Sequence, residues 1–280
     1  MSVIMSLFLG LVQGITEFLP ISSTGHQSIL QNLFSIDYVG DDHQLFRMFL
    51  YLGSMLSIIG SYRKEIVAMF NEGISFLRMR SEADLDEIVV MKPPARALLF
   101  VLIGTLPMFL TLIFLGSVRR LFPSVGFIGF AMGITGGLLF VSDRYITKGK
   151  KTDKTMTLGD AIIIGLSQAV AVIPGLSRCG MTISVGLSRG LSGSFSVRFS
   201  MLLSLPVLFA SMVAALFAAI RNGINFALFP VYLVGFVITT VAGYFAIQLI
   251  RRLIGQGGFG KFAYYCWGVG ALTLILSLIL

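Results

Sequence analysis

Charged residues are scarce in this chain, and their scarcity decides its class. Only 12% of the 280 residues are Asp, Glu, Lys or Arg, whereas soluble domains carry about 25%. Hydrophobic residues make up 56%, and the mean hydropathy is +0.90. This composition excludes an ordinary soluble domain and indicates a polytopic membrane protein.

Several sequence motifs are also absent. The two cysteines, Cys179 and Cys266, imply no disulfide framework and lie in no metal-ligand spacing. The chain has no GxxxxGK[ST] loop and no Cys-x5-Arg phosphatase loop. No histidine follows Ser177-Arg178, which excludes the site of PAP2-type lipid phosphatases despite the faintly similar "STGH". The net charge of +8 does not indicate nucleic-acid binding, because the basic residues lie mostly in short loops.

Long apolar runs take the place of these motifs. A membrane helix needs about 20 apolar residues, and six stretches qualify: 44–62, 97–116, 124–142, 198–220, 229–250 and 262–280. Two further stretches, 3–34 and 158–190, are interrupted at Pro20 and at Pro174-Gly175. Their halves are shorter than a core of about 30 Å requires. Each is therefore predicted to form a re-entrant helical hairpin, which gives an all-α membrane domain over 1–280.

The loop charges predict the orientation of the chain. If both hairpins are re-entrant, 14 basic residues lie in loops on one side and three, Arg119, Arg120 and Arg221, on the other. The positive-inside rule makes the first side cytoplasmic and places both termini outside. The apolar amino-terminal stretch is not expected to be a signal peptide, because it lacks a basic segment and a small-residue cleavage site.

The two interrupted stretches resemble each other. "GLVQGITEFLPISSTG" (10–25) and "GLSQAVAVIPGLSRCG" (165–180) share Gly-Leu-x-Gln, a proline and a serine three residues later. Three spans follow each copy, so the second repeat (158–280) should be inverted relative to the first (3–143). Inverted repeats with broken helices place a site near the middle of the membrane.

Polar residues gather at these interruptions. The first interruption supplies Gln13 and Glu17, and the second supplies Arg178 and Thr182. The members of each pair are four residues apart, which places them on one helical face. A charge in mid-membrane costs at least about 2.5 kcal/mol, so such charges tend to pair and to mark a functional site. The remaining polar candidates are Ser22, Ser23, Thr24, His26 and Ser177.

This set of residue types suits phosphoryl chemistry. Helix N-termini and the planar fork of arginine bind phosphate, and a carboxylate with a phosphate commonly holds Mg²⁺. A serine or a water beside His26 would supply a nucleophile with a base. The residues therefore favour metal-assisted hydrolysis or transfer on a membrane-embedded phosphate ester.

Structural roles without a catalytic function also stay open for individual residues. Glu17 and Arg178 are also explained as a structural pair that pins the hairpins together. Arg47 and Arg198, at matching repeat positions, are either interfacial anchors or extra phosphate contacts. Asp143 and Asp160 lie at predicted helix ends, where solvation explains them.

The two motifs "QGITEFLPISSTGH" (13–26) and "PGLSRCGMT" (174–182) resemble the signature motifs of the undecaprenyl-diphosphate phosphatase family, UppP or BacA. The resemblance covers essentially the whole chain. Glu17, Ser23, His26 and Arg178 match its essential catalytic positions, while Ser177 and Thr182 match phosphate-side positions. Gln13 stands where glutamate is also common, and Cys179 stands where the motif usually has serine.

The resemblance implies hydrolysis of undecaprenyl diphosphate to undecaprenyl phosphate and inorganic phosphate, which recycles the lipid carrier of bacterial cell-wall synthesis. It also implies a divalent metal, Mg²⁺ or Ca²⁺. We expect Glu17, helped by Gln13, to hold this metal, and Ser22, Thr24, Ser177, Arg178 and Thr182 to contact phosphate. The resemblance further implies a site open to the outer face of the bacterial cytoplasmic (inner) membrane, contact with membrane lipids and competition with bacitracin for the substrate. The sequence leaves open whether the chain forms a homodimer.

Two rival functions differ in what they require of these residues. Inverted repeats with broken helices are typical of transporters, so the chain would flip undecaprenyl phosphate in the alternative reading. The Glu-Ser-His-Arg set favours an enzyme, because transport requires binding but no proton transfer. A purely structural membrane protein would tolerate substitution of all four residues.

Overall fold

The chain folds into helices separated by short connections. The computed structural model describes residues 1–34, 43–79, 91–113, 124–145 and 149–279. In these ranges the only β-contact is an isolated bridge between Lys151 and Leu191. The α-helices described there are α1 (Val3–Phe18), α2 (Ser23–Phe34), α3 (Gln44–Met79), α4 (Pro93–Ile113), α5 (Val125–Ser142), α6 (Leu158–Val170), α7 (Arg178–Ser188), α8 (Gly193–Asn222), α9 (Phe229–Gly255) and α10 (Lys261–Ile279).

Six of these helices, α3, α4, α5, α8, α9 and α10, are long and apolar enough to cross a membrane. They confirm the six predicted spans, with shifted ends. The largest difference is in α3, which was predicted to end at 62 but continues to Met79. Its backbone leaves helical geometry only at Tyr62 (φ −128°, ψ 25°). Some residues behind the predicted orientation, Arg80, Arg119, Arg120 and Lys148, lie outside the described residues.

Two pairs of short helices lie where the interruptions were predicted. With 16 and 13 residues, α1 and α6 are about 24 and 20 Å long at 1.5 Å per residue, too short for a hydrocarbon core of about 30 Å. We call residues 19–22 the first break and residues 171–177 the second break. The first helix ends at Phe18 because Pro20 restricts Leu19 to the extended backbone that Leu19 adopts (φ −80°, ψ 149°).

The second break depends on a glycine. Gly175 has a φ of +95°, and a Cβ added there would lie 2.6 Å from the carbonyl oxygen of Ile128 in α5. Only glycine fits that backbone and that contact. The next helix, α7, then begins at Arg178, and the hydroxyl of Ser177 caps it by accepting from the Gly180 amide at 3.1 Å.

Small residues bring the helices close together around these breaks. A Cβ added at Gly10 in α1 would lie 2.6 Å from the carbonyl oxygen of Gly235 in α9. In the same way, a Cβ at Gly129 in α5 would lie 2.7 Å from the carbonyl oxygen of Gly270 in α10. Such close contacts give van der Waals packing in lipid, where no hydrophobic effect drives helices together. Through them α1 and its break are fixed against α9.

The prediction that solvation explains Asp160 is wrong. Its side chain is fully buried in the first turn of α6, where Lys151 and Arg189 donate to it at 2.8 and 2.9 Å. The Thr157 amide donates as well, at 3.0 Å. Burial raises the pKa of Asp160, but the hydrogen bonds from Lys151, Thr157 and Arg189 outweigh it, so that the pKa lies below its ordinary value. Asp160 therefore ties the loop before α6 to the end of α7.

Candidate active site

The two breaks touch each other although they lie far apart in the sequence. The Ser22 hydroxyl donates to the Leu176 carbonyl at 3.2 Å, and the Cys179 thiol donates to the Phe18 carbonyl at 3.0 Å. One bond satisfies the Phe18 carbonyl, which the end of α1 leaves without a helical partner, and the other satisfies the Leu176 carbonyl within the second break. Because each break ends or begins a helix here, the side chains flanking both breaks converge on one region.

An ion pair crosses this junction. Arg178 Nη2 lies 2.9 Å from Glu17 Oε1, and the two side chains are 16% and 9% exposed. Both charges are thus largely removed from solvent, and each stabilises the other. The pairing expected from the cost of buried charge is present, and it joins the last turn of α1 to the first turn of α7.

A chain of amides supports the carboxylate. Gln13 Nε2 donates to Glu17 Oε2 at 3.2 Å and also lies 3.4 Å from the Ser54 hydroxyl in α3. Gln27 Nε2 in turn donates to Gln13 Oε1 at 2.5 Å. Gln13 is buried, so its amide is oriented by these neighbours. Each oxygen of Glu17 therefore accepts one hydrogen bond, from Arg178 on one side and from Gln13 on the other.

A cavity of about 420 Å³, the first cavity, opens beside this ion pair. Its polar wall includes Glu17, Ser23, Thr24 and Arg178. Arg47 also lines it and bonds to the hydroxyl of Tyr51 at 3.3 Å. Further polar residues come from α2, and the apolar part of the lining includes Met108, Ile128, Pro174, Val207 and Leu208. A cavity of this size and mixed lining suits a ligand with a polar head and an apolar chain.

Comparison with known proteins identifies the family at this point. The family model "Bacitracin resistance protein BacA" matches residues 6–272. The chain belongs to the BacA family. Among curated relatives, the undecaprenyl-diphosphatase of Carboxydothermus hydrogenoformans is 34% identical over 97% of this chain and 96% of its own. Those of Halothermothrix orenii and Methanobrevibacter smithii are 33% and 32% identical, each over 99% of both chains.

Three hydroxyls predicted to contact phosphate are already bonded within this BacA family member. Ser22, with a φ of +69°, accepts from the Gly25 amide at 3.1 Å. Ser177 caps α7, and Thr182 shares a 2.6 Å hydrogen bond with Ser200. All three are at most 2% exposed. They shape the junction of the breaks, whereas the other two predicted hydroxyls, Ser23 and Thr24, line the first cavity.

His26 differs from the other predicted catalytic residues in its contacts. Its Nδ1 lies 2.8 Å from the Ser22 carbonyl, its Nε2 lies 2.8 Å from the Tyr265 hydroxyl in α10, and its ring stacks on the Tyr265 ring. A carbonyl only accepts, so Nδ1 carries a proton in this arrangement. His26 does not line the first cavity, although Ser23 in the same helical turn does.

Gln27 and Tyr265 take part in the site but were not singled out in the sequence. The signal for Gln27 was available. The pairs Ser23-Thr24, Gln27-Ser28 and Gln31-Asn32 repeat every four residues along α2, and all six residues line the first cavity. A period of four places them on one helical face. No local pattern marks Tyr265, because its contact with His26 depends on the packing of α10 more than 230 residues away.

Proposed function

We propose that the chain hydrolyses undecaprenyl diphosphate to undecaprenyl phosphate and inorganic phosphate in the first cavity. Membership of the BacA family and the name shared by the relatives, undecaprenyl-diphosphatase, support this substrate. The observation that carries the proposal for this chain is the Glu17–Arg178 ion pair beside Ser23 in a half-apolar cavity. Burying these two charges is costly. A ligand bound in the adjacent cavity would interact with both charges and offset that cost.

Substrate binding is assigned to the two arginines of the cavity. Arg178 and Arg47 both line it, and a guanidinium matches phosphate oxygens in a planar fork. Arg178 is also the first residue of α7, so the positive end of that helix dipole points to the same place. The apolar lining residues accept the start of the prenyl chain.

The chemical step is the transfer of the terminal phosphoryl group. The oxygen of Ser23 or of a water bonds to the terminal phosphorus, the bridging P–O bond breaks, and the lipid monophosphate leaves. With water as the attacking group, inorganic phosphate forms directly. With Ser23, a second attack by water releases it. Either attacking group must lose a proton, and the proposal assigns that proton to His26.

His26 can accept this proton only if one of its hydrogen bonds changes. Its Nε2 bonds to Tyr265, and its Nδ1 bonds to the Ser22 carbonyl. Proton transfer therefore requires that substrate entry exchanges the Tyr265 bond for one to Ser23 or to a water. Hydrogen bonds at catalytic groups commonly tighten only in the substrate complex.

A divalent cation, Mg²⁺ or Ca²⁺, belongs to the proposal, with Glu17 and Gln13 as the residues that would hold it. No group of three or more His, Cys, Asp or Glu side chains forms a metal site within the described part of the chain. A carboxylate has about four acceptor positions, and Glu17 uses two of them. The carboxylate would thus have room for a hard cation shared with the substrate phosphates. Gln13 turns its Nε2 toward Glu17 while its Oε1 accepts from Gln27, so its amide would have to rotate before its oxygen could bind the cation. Such a cation supplies positive charge that stabilises the phosphoryl oxygens.

The membrane arrangement is the remaining part of the proposal. The short pairs α1–α2 and α6–α7 are re-entrant hairpins of two inverted repeats, 3–143 and 158–280, in the bacterial cytoplasmic membrane. The short lengths of α1 and α6 and the loop charges support this arrangement. Both termini and the first cavity then face outward, where bacitracin competes for the same lipid.

Phosphate release tests the proposal. The purified protein in detergent should release one inorganic phosphate for each undecaprenyl diphosphate consumed and leave the monophosphate as the lipid product. Lipid analysis and phosphate assay measure both. In liposomes, movement of undecaprenyl phosphate between leaflets without any phosphate release would show that the chain is a transporter and would overturn the enzymatic proposal.

A further inference from the structure

A second cavity of about 600 Å³ shares no lining residue with the first. Residues of α3 and α8 line both. Along α3, Tyr62 lies 15 residues after Arg47, which corresponds to about 22 Å of helix. Along α8, Arg198 lies 13 residues before Ser211, or about 20 Å. The second cavity therefore lies further along α3 than the first cavity and nearer the start of α8.

The charge of this cavity is positive. Three arginines, Arg198, Arg251 and Arg252, line it together with two acids, Asp153 and Glu65, which leaves a formal charge of +1. Asp153 pairs with Arg198 at 3.3 Å. Among the described residues neither Arg251 nor Arg252 is in an ion pair, and Arg251 makes only a long bond of 3.4 Å to Gln248.

A buried tyrosine contributes an unused donor. Tyr62 is 2% exposed, lines the second cavity, and has a hydroxyl with no hydrogen-bond partner in the part of the chain that the structure describes. The Arg251 guanidinium lies 5.3 Å from the centre of its ring. Helical geometry also fails in α3 at this residue. A buried hydroxyl without a partner is costly, and a ligand that accepts from it removes the cost.

We propose that the second cavity binds a phosphate-bearing anion between Arg251, Arg252 and the Tyr62 hydroxyl. Two guanidiniums without carboxylate partners offer several N–H donors, and their planar geometry matches phosphate oxygens. A metal cation is the less fitting ligand, because arginines outnumber acids and one acid is already paired. The site rests on these contacts alone and does not depend on the reaction proposed for the first cavity.

Two ligands have such a phosphate group: free inorganic phosphate and the headgroup of an anionic lipid. Mapping of arginine modification distinguishes them. The full-length protein is treated with phenylglyoxal, which modifies free guanidiniums, and peptide mass spectrometry reads each arginine separately. Free phosphate is titrated in detergent against chloride of equal ionic strength. Nanodiscs of phosphatidylglycerol or phosphatidylcholine, without free phosphate, form the second arm.

Arg251 and Arg252 should become protected from phenylglyoxal in at least one arm. Exposed Arg63, which does not line the cavity, should be modified equally with and without the ligand. Protection by phosphate in detergent assigns the free anion, and protection only in phosphatidylglycerol assigns the lipid. Tyr62→Phe removes the hydroxyl alone, and protection should then require about tenfold more phosphate or anionic lipid, since a hydrogen bond to a charged group is lost. Unprotected Arg251 and Arg252 in both arms, protection of Arg63 to the same degree, or no effect of Tyr62→Phe would overturn the proposal.

Discussion

Two buried carboxylates, Glu17 and Asp160, are held in opposite ways. Asp160 is fully buried and accepts from two cationic side chains and a backbone amide, and it lines neither of the two cavities described above. Glu17 is slightly exposed, has one cationic partner and lines the first cavity. A carboxylate surrounded by donors has little capacity for a further ligand, whereas one with spare acceptor positions at a cavity has that capacity.

This difference separates the structural role from the functional role. Asp160 connects the loop before α6 with Arg189 at the end of α7. Glu17 connects the two breaks, but its second role is to face the cavity. The structural reading of the Glu17–Arg178 pair and the functional reading are therefore compatible, and substitutions can separate them.

The largest expected effect is on turnover, from Glu17→Gln. The amide oxygen can still accept from Arg178, but the buried ion pair and the negative charge that would hold the cation are lost. Turnover is therefore measured per folded molecule. Phosphate release should fall about 100-fold or more, as when a group stabilising transition-state charge is removed. Glu72→Gln, in a half-exposed pair with Lys92, serves as the matched control. Wild-type turnover in Glu17→Gln would show that the ion pair is only structural.

The next largest effect is on stability, from Asp160→Asn. It leaves Lys151 and Arg189 without their carboxylate, and breaking a buried pair costs about 3 kcal/mol. The melting temperature in detergent should fall, while phosphate release per folded molecule stays unchanged. Asp153→Asn, which breaks a pair that is 31% exposed on each side, should cost less than about 1 kcal/mol. Loss of turnover without loss of stability in Asp160→Asn would show that Asp160 has a functional role and not a structural one.

The pH dependence of stability tests the same carboxylate. Since the pKa of Asp160 is lowered in the folded chain, its contribution is complete above the unfolded pKa of about 4 and is lost as the pH falls through the folded value. The difference in melting temperature between the wild type and Asp160→Asn should be constant near neutral pH and narrow below about pH 4. A difference that already narrows near neutral pH would contradict the lowered pKa.

A smaller effect on turnover is expected from Gln27→Ala. This change removes the donor that orients Gln13, which in turn donates to Glu17. Loss of such a supporting bond typically lowers activity about tenfold. Gln31→Ala, one helical turn further along the same face of α2, is the control and should keep most of its turnover. Equal losses in both variants would indicate that the whole polar face, and not the bond to Gln13, is responsible.

Much of this arrangement could be predicted from the sequence because a lipid environment restricts which residues a helix can contain. The spans follow from hydropathy, the breaks from Pro20 and Pro174, and the Glu17–Arg178 pair from the cost of isolated charge in lipid. Each of these inferences needs only local sequence or a simple energetic rule.

Side-chain roles that depend on packing were harder to predict. Whether Ser22 caps a turn or faces the cavity depends on a positive φ, and whether His26 faces α10 depends on where Tyr265 comes to lie. Asp160 looked solvated because its partners Lys151 and Arg189 lie nine and 29 residues away. In each case a distant contact, absent from the local pattern, decides the role.

The smallest expected effect is that of Cys179→Ser, which restores the residue usual in the family motif. Cys179 is 2% exposed and does not line the first cavity, and its thiol donates to the Phe18 carbonyl across the two breaks. A serine hydroxyl makes the same bond more strongly, so the junction should gain no more than about 1 kcal/mol. Melting temperature should therefore rise slightly while phosphate release and its cation dependence stay as in the wild type. A large gain in turnover would instead place residue 179 against the substrate and extend the functional surface from Glu17 further into the second break.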